Sequence, residues 1–298
     1  MAHVTVNNEK TTNVECGCYD SGLIIDSVKF NQVVTKLRDF FQERNFIEVH
    51  TQNRLSILAA CEDPFNVQTF EYAGKVWPLI QTGQMWLEYE MLKKPDVAGY
   101  FCLTTSYRLE PNPKPGRHDI IFPMFEFEFK GDMYDLIKLQ RDLLAHLGYD
   151  KDTFYMNDYK TIAKEFGTVE LDHEHEERLY QEKSPVSFIT DFPEFTSPFW
   201  NMKRNPGDDT AKKVDVILSG METFGSAERE VDKDTMRKCF DSIMDGEYKN
   251  KLYTLFGEER TKGELEEYFK LNFVKRSGCG IGLTRLIKSM EKEGLLKE

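Results

Sequence analysis

The stretch Tyr107–Phe129 reads YRLEPNPKPGRHDIIFPMFEFEF and sets Arg108, Glu110, Arg117 and His118 around three prolines and a glycine. Two guanidiniums and an imidazole on one loop can grip a polyphosphate, because they offer fixed charge-assisted donors to its oxygens. Phe122 could then stack on a flat base. The plainer alternative is a solvated loop with Phe122 in the core. A second set is Gly278, Gly280 and Gly282 followed by Arg285. It lacks the spacing and lysine of a Walker A loop, so it suits either close packing or backbone held near a nucleotide with Arg285 facing phosphate. In the third set Glu222 follows Asp215 by seven residues, and Arg229 follows Glu222 by seven. Two carboxylates beside a guanidinium suit Mg²⁺ next to an anion, and surface charge on a hairpin is the alternative. All three sets converge on one ligand, a nucleoside triphosphate with Mg²⁺.

The elements that must position these groups are visible as periodicity. Phe125, Phe127 and Phe129 alternate with Glu126 and Glu128, which is a strand pattern, and YFCLTTSYRL reads as its partner across the proline-rich loop. Phe30, Val33, Val34, Leu37 and Phe41 recur at helical spacing behind a cap at Asp26 or Ser27. FIEVHT and VWPLIQTG read as strands, with a helix starting near Met85. DMYDLIKLQRDLLAHLG reads as a helix stopped by Gly148. SPVSFITDFP, FWNMKR and KKVDVILSGMETFG read as strands, DKDTMRKCFDSIMDG as a helix, and SGCGIGLTRLIKSMEKEG as a glycine-rich turn opening into a helix. Strands run in hairpins, with no internal repeat and no linker. The expected fold is α+β, an antiparallel β-sheet flanked by helices.

The 298 residues are 40% hydrophobic, enough for a sizeable core. The formal charge of −12 argues against a nucleic-acid grip, which wants a basic face, and favours small-molecule chemistry. Of the six cysteines, only Cys16 and Cys18 lie close together, without the second pair that a zinc site needs. His173 and His175 sit in the charge run LDHEHEERLYQEK, which reads as a solvated helix face. No apolar run of about 18 residues and no signal-like start are seen, so a cytoplasmic protein without membrane contact is expected.

The joint pattern resembles the catalytic core of class II aminoacyl-tRNA synthetases of the aspartyl/asparaginyl branch. That branch runs Phe-Arg-x-Glu, a loop, then Arg-His-x-x-Glu-Phe, and here stand YRLE and RHDIIF. Its Gly-x-Gly-x-Gly-x-x-Arg is GCGIGLTR here, and its Asp, Glu and Arg at intervals of seven are Asp215, Glu222 and Arg229. The resemblance covers roughly residues 25–295, within a catalytic domain expected at 25–298 behind a polar segment at 1–24. It implies that Arg108 binds the α-phosphate and Glu110 the adenine end. Arg117, His118 and Arg285 would hold the outer phosphates, with Gly282 beside the nucleotide. Phe122 and Arg285 would sandwich adenine, and Asp215 and Glu222 would hold Mg²⁺. CEDPFNV and QTGQMWLE resemble the branch's amino-acid pocket. Glu62 would meet the α-ammonium, and Gln81, Gln84, Glu88 and Arg229 the rest of the amino acid. Arg108, Arg229 and Arg285 would be the catalytic cations.

Several positions depart from the pattern. Gln52 stands where motif one has proline, Ile121 precedes Phe122 in place of glutamate, and Thr284 precedes Arg285 in place of an acid. Leu87 replaces the lysine of aspartyl enzymes, while Glu88 matches asparaginyl enzymes; an exposed helix residue is its alternative reading. Motif one begins near residue 30, which leaves no room for the branch's anticodon-binding barrel. The expectation is therefore a homodimeric ligase that adenylates aspartate with ATP and transfers it to ammonia, with tRNA binding not expected. The alternatives are another aspartyl amide ligase, a free-standing aspartyl/asparaginyl-tRNA synthetase-like enzyme, and a non-catalytic binding paralogue.

Overall fold

A computed structural model of the chain describes residues 25–58, 66–109, 113–114 and 116–296. The expectations placed on Glu62, Glu110 and residues 1–24 lie outside the described residues. The Asp26 carboxylate accepts from the amides of Val28 and Lys29 at 2.9 Å and so caps α1 (Ser27–Gln42). Val33, Val34, Leu37, Phe40 and Phe41 form its buried face.

The proline-rich loop joins β4 (Gly99–Tyr107) to β5 (Ile121–Phe129), and the pair is antiparallel through Tyr107 opposite Ile121. With β1 (Phe46–Glu48), β6 (Tyr155–Asp158), β7 (Val186–Pro193), β8 (Thr210–Leu218), β9 (Met221–Glu228) and β10 (Ser277–Gly282) they form an eight-stranded sheet. The order is β1-β4-β5-β10-β9-β8-β7-β6. Neighbours are antiparallel except β1 with β4 and β6 with β7. A separate hairpin pairs β2 (Gln68–Tyr72) with β3 (Lys75–Leu79).

The two faces differ in chemistry. On one, α1, α3 (Met133–Leu147) and α9 (Leu283–Lys292) cover Phe101, Phe125, Phe127, Val214, Val216, Phe224, Cys279 and Ile281. The Phe/Glu alternation of β5 is thus a phenylalanine face toward this core and a glutamate face toward the other side. On that other side lie α2 (Gln84–Lys93) and a second core built around Trp200, Phe240, Tyr248 and Tyr268. These come from α6 (Lys233–Ser242), α7 (Glu247–Phe256), α8 (Glu258–Phe269) and the segment before β8. Beside β7 pack α4 (Tyr159–Phe166) and, toward β8 and β9, α5 (His173–Glu182).

Two expectations are corrected. The glycine-rich stretch is not a turn but β10, at the centre of the sheet between β5 and β9. Its alternation is hidden because only Cys279 and Ile281 carry side chains into the core, while the glycines face the opposite way. FWNMKR forms no strand and makes only the isolated bridges Met202 to Arg229 and Arg204 to Ala211. Phe199 and Trp200 there are buried in the second core instead. The helices α7 and α8 were not anticipated; their strongly charged sequences bury only narrow stripes such as Tyr248, Leu252, Leu265 and Phe269.

Candidate active site

The glutamate face of the sheet is the floor of a cavity that opens to solvent. Arg108 enters from the end of β4, Phe122 and Met124 from β5, Gly280 and Gly282 from β10, and Glu222 and Gly225 from β9. Arg229 follows β9, Arg285 sits in the first turn of α9, Arg117 and His118 come from the loop, and α2 supplies Gln84, Met85 and Glu88. The missing side chains of β10 make this floor low. At Gly278 a Cβ would overlap Glu128 Oε2 and Gln84 Nε2, so only glycine lets α2 come this close.

At one end of the cavity the cations gather. The Arg108 guanidinium lies 5.6 Å from the Phe122 ring centroid, within cation–π range. Arg285 Nη1 donates to the Glu222 carbonyl at 2.6 Å and Nη2 to the Arg117 carbonyl at 3.3 Å. Arg117 itself is ion-paired with Glu176 of α5, whose Oε2 also accepts from the Glu222 amide at 2.7 Å. Burial, reinforced by the Glu222 carboxylate, holds the Glu176 carboxyl above its usual range, although Arg117 opposes this.

Glu222 and Asp215 converge on one spot. Asp215 stands opposite Gly225, and the register shift after Val216 pairs Ile217 with Glu222. A Cβ built on Gly225 would lie 3.4 Å from Glu222 Oε1 and 3.9 Å from Asp215 Oδ1. Asp215 does not line the cavity and has the Lys213 ammonium at 3.2 Å. Two hard oxygen donors over a glycine-cleared floor fit Mg²⁺, which is commonly held by one or two carboxylates plus phosphates and water. Among the described residues no group of three or more His, Cys, Asp or Glu could hold a metal by itself.

The other end is a buried charge cluster. Arg229 Nε lies 3.4 Å from both Glu88 Oε1 and Glu128 Oε2. Glu88 is fully buried, not an exposed helix residue: it accepts from Asn201 Nδ2 at 2.6 Å, Arg276 Nη2 at 2.6 Å and Tyr268 Oη at 3.2 Å. Gln84 Nε2 donates to Glu128 Oε2 at 2.5 Å. Burial pushes the Glu128 carboxyl up to about 8, with Glu88 adding to the rise and Arg229 and Arg276 opposing it. Burial alone would lower the Arg229 pKa, but the Glu128 and Glu88 carboxylates raise it overall.

The cavity therefore brings together Arg108, Arg117, His118, Phe122, Glu222, Gly282, Arg285, Gln84, Glu88 and Arg229. Gln81 is buried and its carbonyl accepts from Ser106 at 2.6 Å, but it does not line the cavity. Sequence reasoning missed Glu128, Arg276, Asn201, Tyr268 and Glu176. The one available signal was the alternation of β5, which puts Glu126 and Glu128 on a single face. Glu126 uses that position to anchor the start of α2, accepting from the Gly83 amide at 2.7 Å and Thr104 Oγ1 at 2.6 Å.

Comparison with known proteins agrees with this geometry. Residues 28–298 match the family model described as tRNA synthetases class II (D, K and N). An aspartate–tRNA(Asp/Asn) ligase of Methanopyrus kandleri is 23% identical, over 87% of this chain and 63% of its own. The asparaginyl-tRNA synthetase of Pyrococcus horikoshii, solved with asparaginyl-adenylate, superposes with a TM-score of 0.72 at 20% identity, over 89% of this chain and 64% of that one. The Entamoeba histolytica asparaginyl-tRNA synthetase, also with asparaginyl-adenylate, gives 0.71 at 18% identity over 89% and 63%. The chain thus spans under two thirds of the length of these relatives.

Proposed function

Because the chain belongs to the class II tRNA synthetase family of the D, K and N kind, we propose that it is an AMP-forming ligase that adenylates aspartate and passes the aspartyl group to ammonia. The observation that carries this reading is Arg229, a buried guanidinium paired through Nε with Glu88 and Glu128 that lines the same cavity as Arg108. A guanidinium held this way is a fork for a carboxylate. With the α-carboxylate in that fork, the β-carboxylate of aspartate points toward the cationic end.

A β-carboxylate oxygen attacks the α-phosphorus, and the bond to the bridging oxygen breaks to release pyrophosphate. Arg108 stabilises the charge that grows on the α-phosphoryl oxygens, while Arg117, His118 and Arg285 hold the leaving phosphates and Phe122 stacks on adenine. Mg²⁺ held through Glu222 and Asp215 would neutralise phosphate charge. The ammonia lone pair then attacks the acyl carbon, the bond to AMP breaks, and asparagine, AMP and one proton result. Arg117 is paired with Glu176, and phosphate would compete with that carboxylate for the same guanidinium.

The test is incubation with Mg-ATP and aspartate, with and without ammonium, read by mass spectrometry. Asparagine and AMP formed only with ammonium support the reading, and aspartate-independent or absent AMP formation overturns it. A second reading is aminoacylation of tRNA, favoured by the activity named in the Methanopyrus relative. It is supported if aspartyl- or asparaginyl-tRNA forms in the same mixture.

A further inference from the structure

Arg276 is a fully buried guanidinium that lines no part of the cavity. It stands one residue before β10, with its Nη1 near the carbonyls of Glu230 at 3.3 Å and Val274 at 3.4 Å. Its Nη2 donates to Glu88 Oε2 at 2.6 Å and to Tyr268 Oη at 3.2 Å, and its Nε lies 3.5 Å from Glu128 Oε1. The shortest contact of Arg229 with the same Glu88 is from Nε, at 3.4 Å. The close charge-assisted contact of Glu88 is therefore with Arg276, behind the cavity, and not with Arg229, which faces it. Glu88 stands between the two guanidiniums of this cluster, and without Arg276 it would have Arg229 as its one guanidinium partner among the described residues.

We propose that Arg276 is a positioning residue that determines specificity: by holding Glu88 from behind, it leaves the outer nitrogens of Arg229 for an anionic group, so the cavity selects a dicarboxylic amino acid over its carboxamide. This rests on the adenylation reading above. If Arg276 is lost, Glu88 turns its charge to Arg229 and becomes an acceptor for an amide NH₂. The chemistry that recognises substrate is then set by a residue that never touches it. Buried charges couple strongly because little water screens them, so one charge behind the wall is felt inside it.

The experiment compares aspartate with asparagine in pyrophosphate exchange, and separately as ligands in calorimetry without ATP. Arg276→Gln and Arg276→Met are read in parallel, so that one decides if the other does not fold. Each is expected to lose at least ~10-fold of the aspartate-over-asparagine preference, as one buried charge warrants. The KM for ATP should stay unchanged. Arg276→Lys should keep most of the preference. The double variant Arg276→Gln/Glu88→Gln, which removes one charge of each sign, should regain it. A preference unmoved in the single variants, an equal fall for both amino acids, or no recovery in the double variant overturns the proposal. Binding that depends on Arg276 in this way without any adenylate would refute the ligase reading and leave this inference standing.

Discussion

Arg108 and Glu128 define the site at the scale of single residues. Arg108 lines the cavity at the cationic end, and its proposed contact to the α-phosphoryl group strengthens as charge develops there. Arg108→Ala should lower kcat/KM for adenylation by ~10²-fold or more, the loss typical of one donor to a developing oxyanion, with little change in unfolding free energy. Pyrophosphate exchange checks the first part and urea unfolding the second. Glu128 carries a pH dependence whose sign follows from its buried position. Its pKa of about 8 in the fold lies above the ordinary 4.5 of the unfolded chain. Between those values the native state holds a proton that the unfolded chain has released. That stability is fully present below pH 4.5 and is lost as pH rises through about 8, by at most about 1.4 kcal/mol per pH unit. Subtracting the stability curve of Glu128→Gln should isolate this slope, and parallel curves would reject it. The same ionisation adds negative charge beside Arg229. The aspartate KM should therefore climb as pH passes about 8 in the wild type and not in Glu128→Gln.

At the scale of elements, β10 and α5 do what their compositions conceal. In β10, Gly278 sits against Glu128 Oε2 and Gln84 Nε2, with the Phe127 carbonyl 2.7 Å from the place a Cβ would take. Gly278→Ala should destabilise by about 1–3 kcal/mol, because overpacking here pushes α2 off the sheet, and thermal unfolding measures it. A variant with unchanged stability would mean that α2 has slack. The helix α5 is a charged surface helix over most of its length, yet its Glu176 is partly buried and ion-paired with Arg117. Glu176→Gln keeps an acceptor for the Glu222 amide and discharges the pair. The KM for ATP should fall several-fold, since binding no longer competes with an ion pair. An unchanged or raised KM would show that Glu176 instead positions Arg117 productively.

For the whole molecule, the acidic total of −12 bears on partners. Any tRNA binding should be weak and fall steeply with salt, because no general excess of cations meets the phosphate backbone. Filter binding at two salt concentrations checks this, and tight, specific binding at physiological salt would promote the aminoacylation reading. A homodimer is expected through α1 and the neighbouring edge of the sheet. There, among the described residues, β1 has no further strand beyond it, and Val28 and Ile47 are 60% and 48% exposed. Sedimentation should find a dimer, and a monomer at micromolar concentration would remove the claim.

The sequence by itself determined the antiparallel hairpin around the proline-rich loop, the class of the fold, and the cations and carboxylates that share one cavity. These follow from local rules: alternation, helical spacing, and charged groups recurring at set intervals in motifs. Tertiary structure alone decided the rest. The glycines of β10 carry no side chains to alternate, so their place at the centre of the sheet emerges only when β5 and β9 close on either side. Glu128 reads along the chain as an ordinary surface-type acid, and Glu88 is placed at the amino acid by resemblance alone. Their burial comes from Arg276, Asn201, Tyr268 and Gln84, which belong to distant segments and meet only in the folded state. Charge balance in a buried cluster is a sum over such segments, and no single stretch of sequence contains its terms.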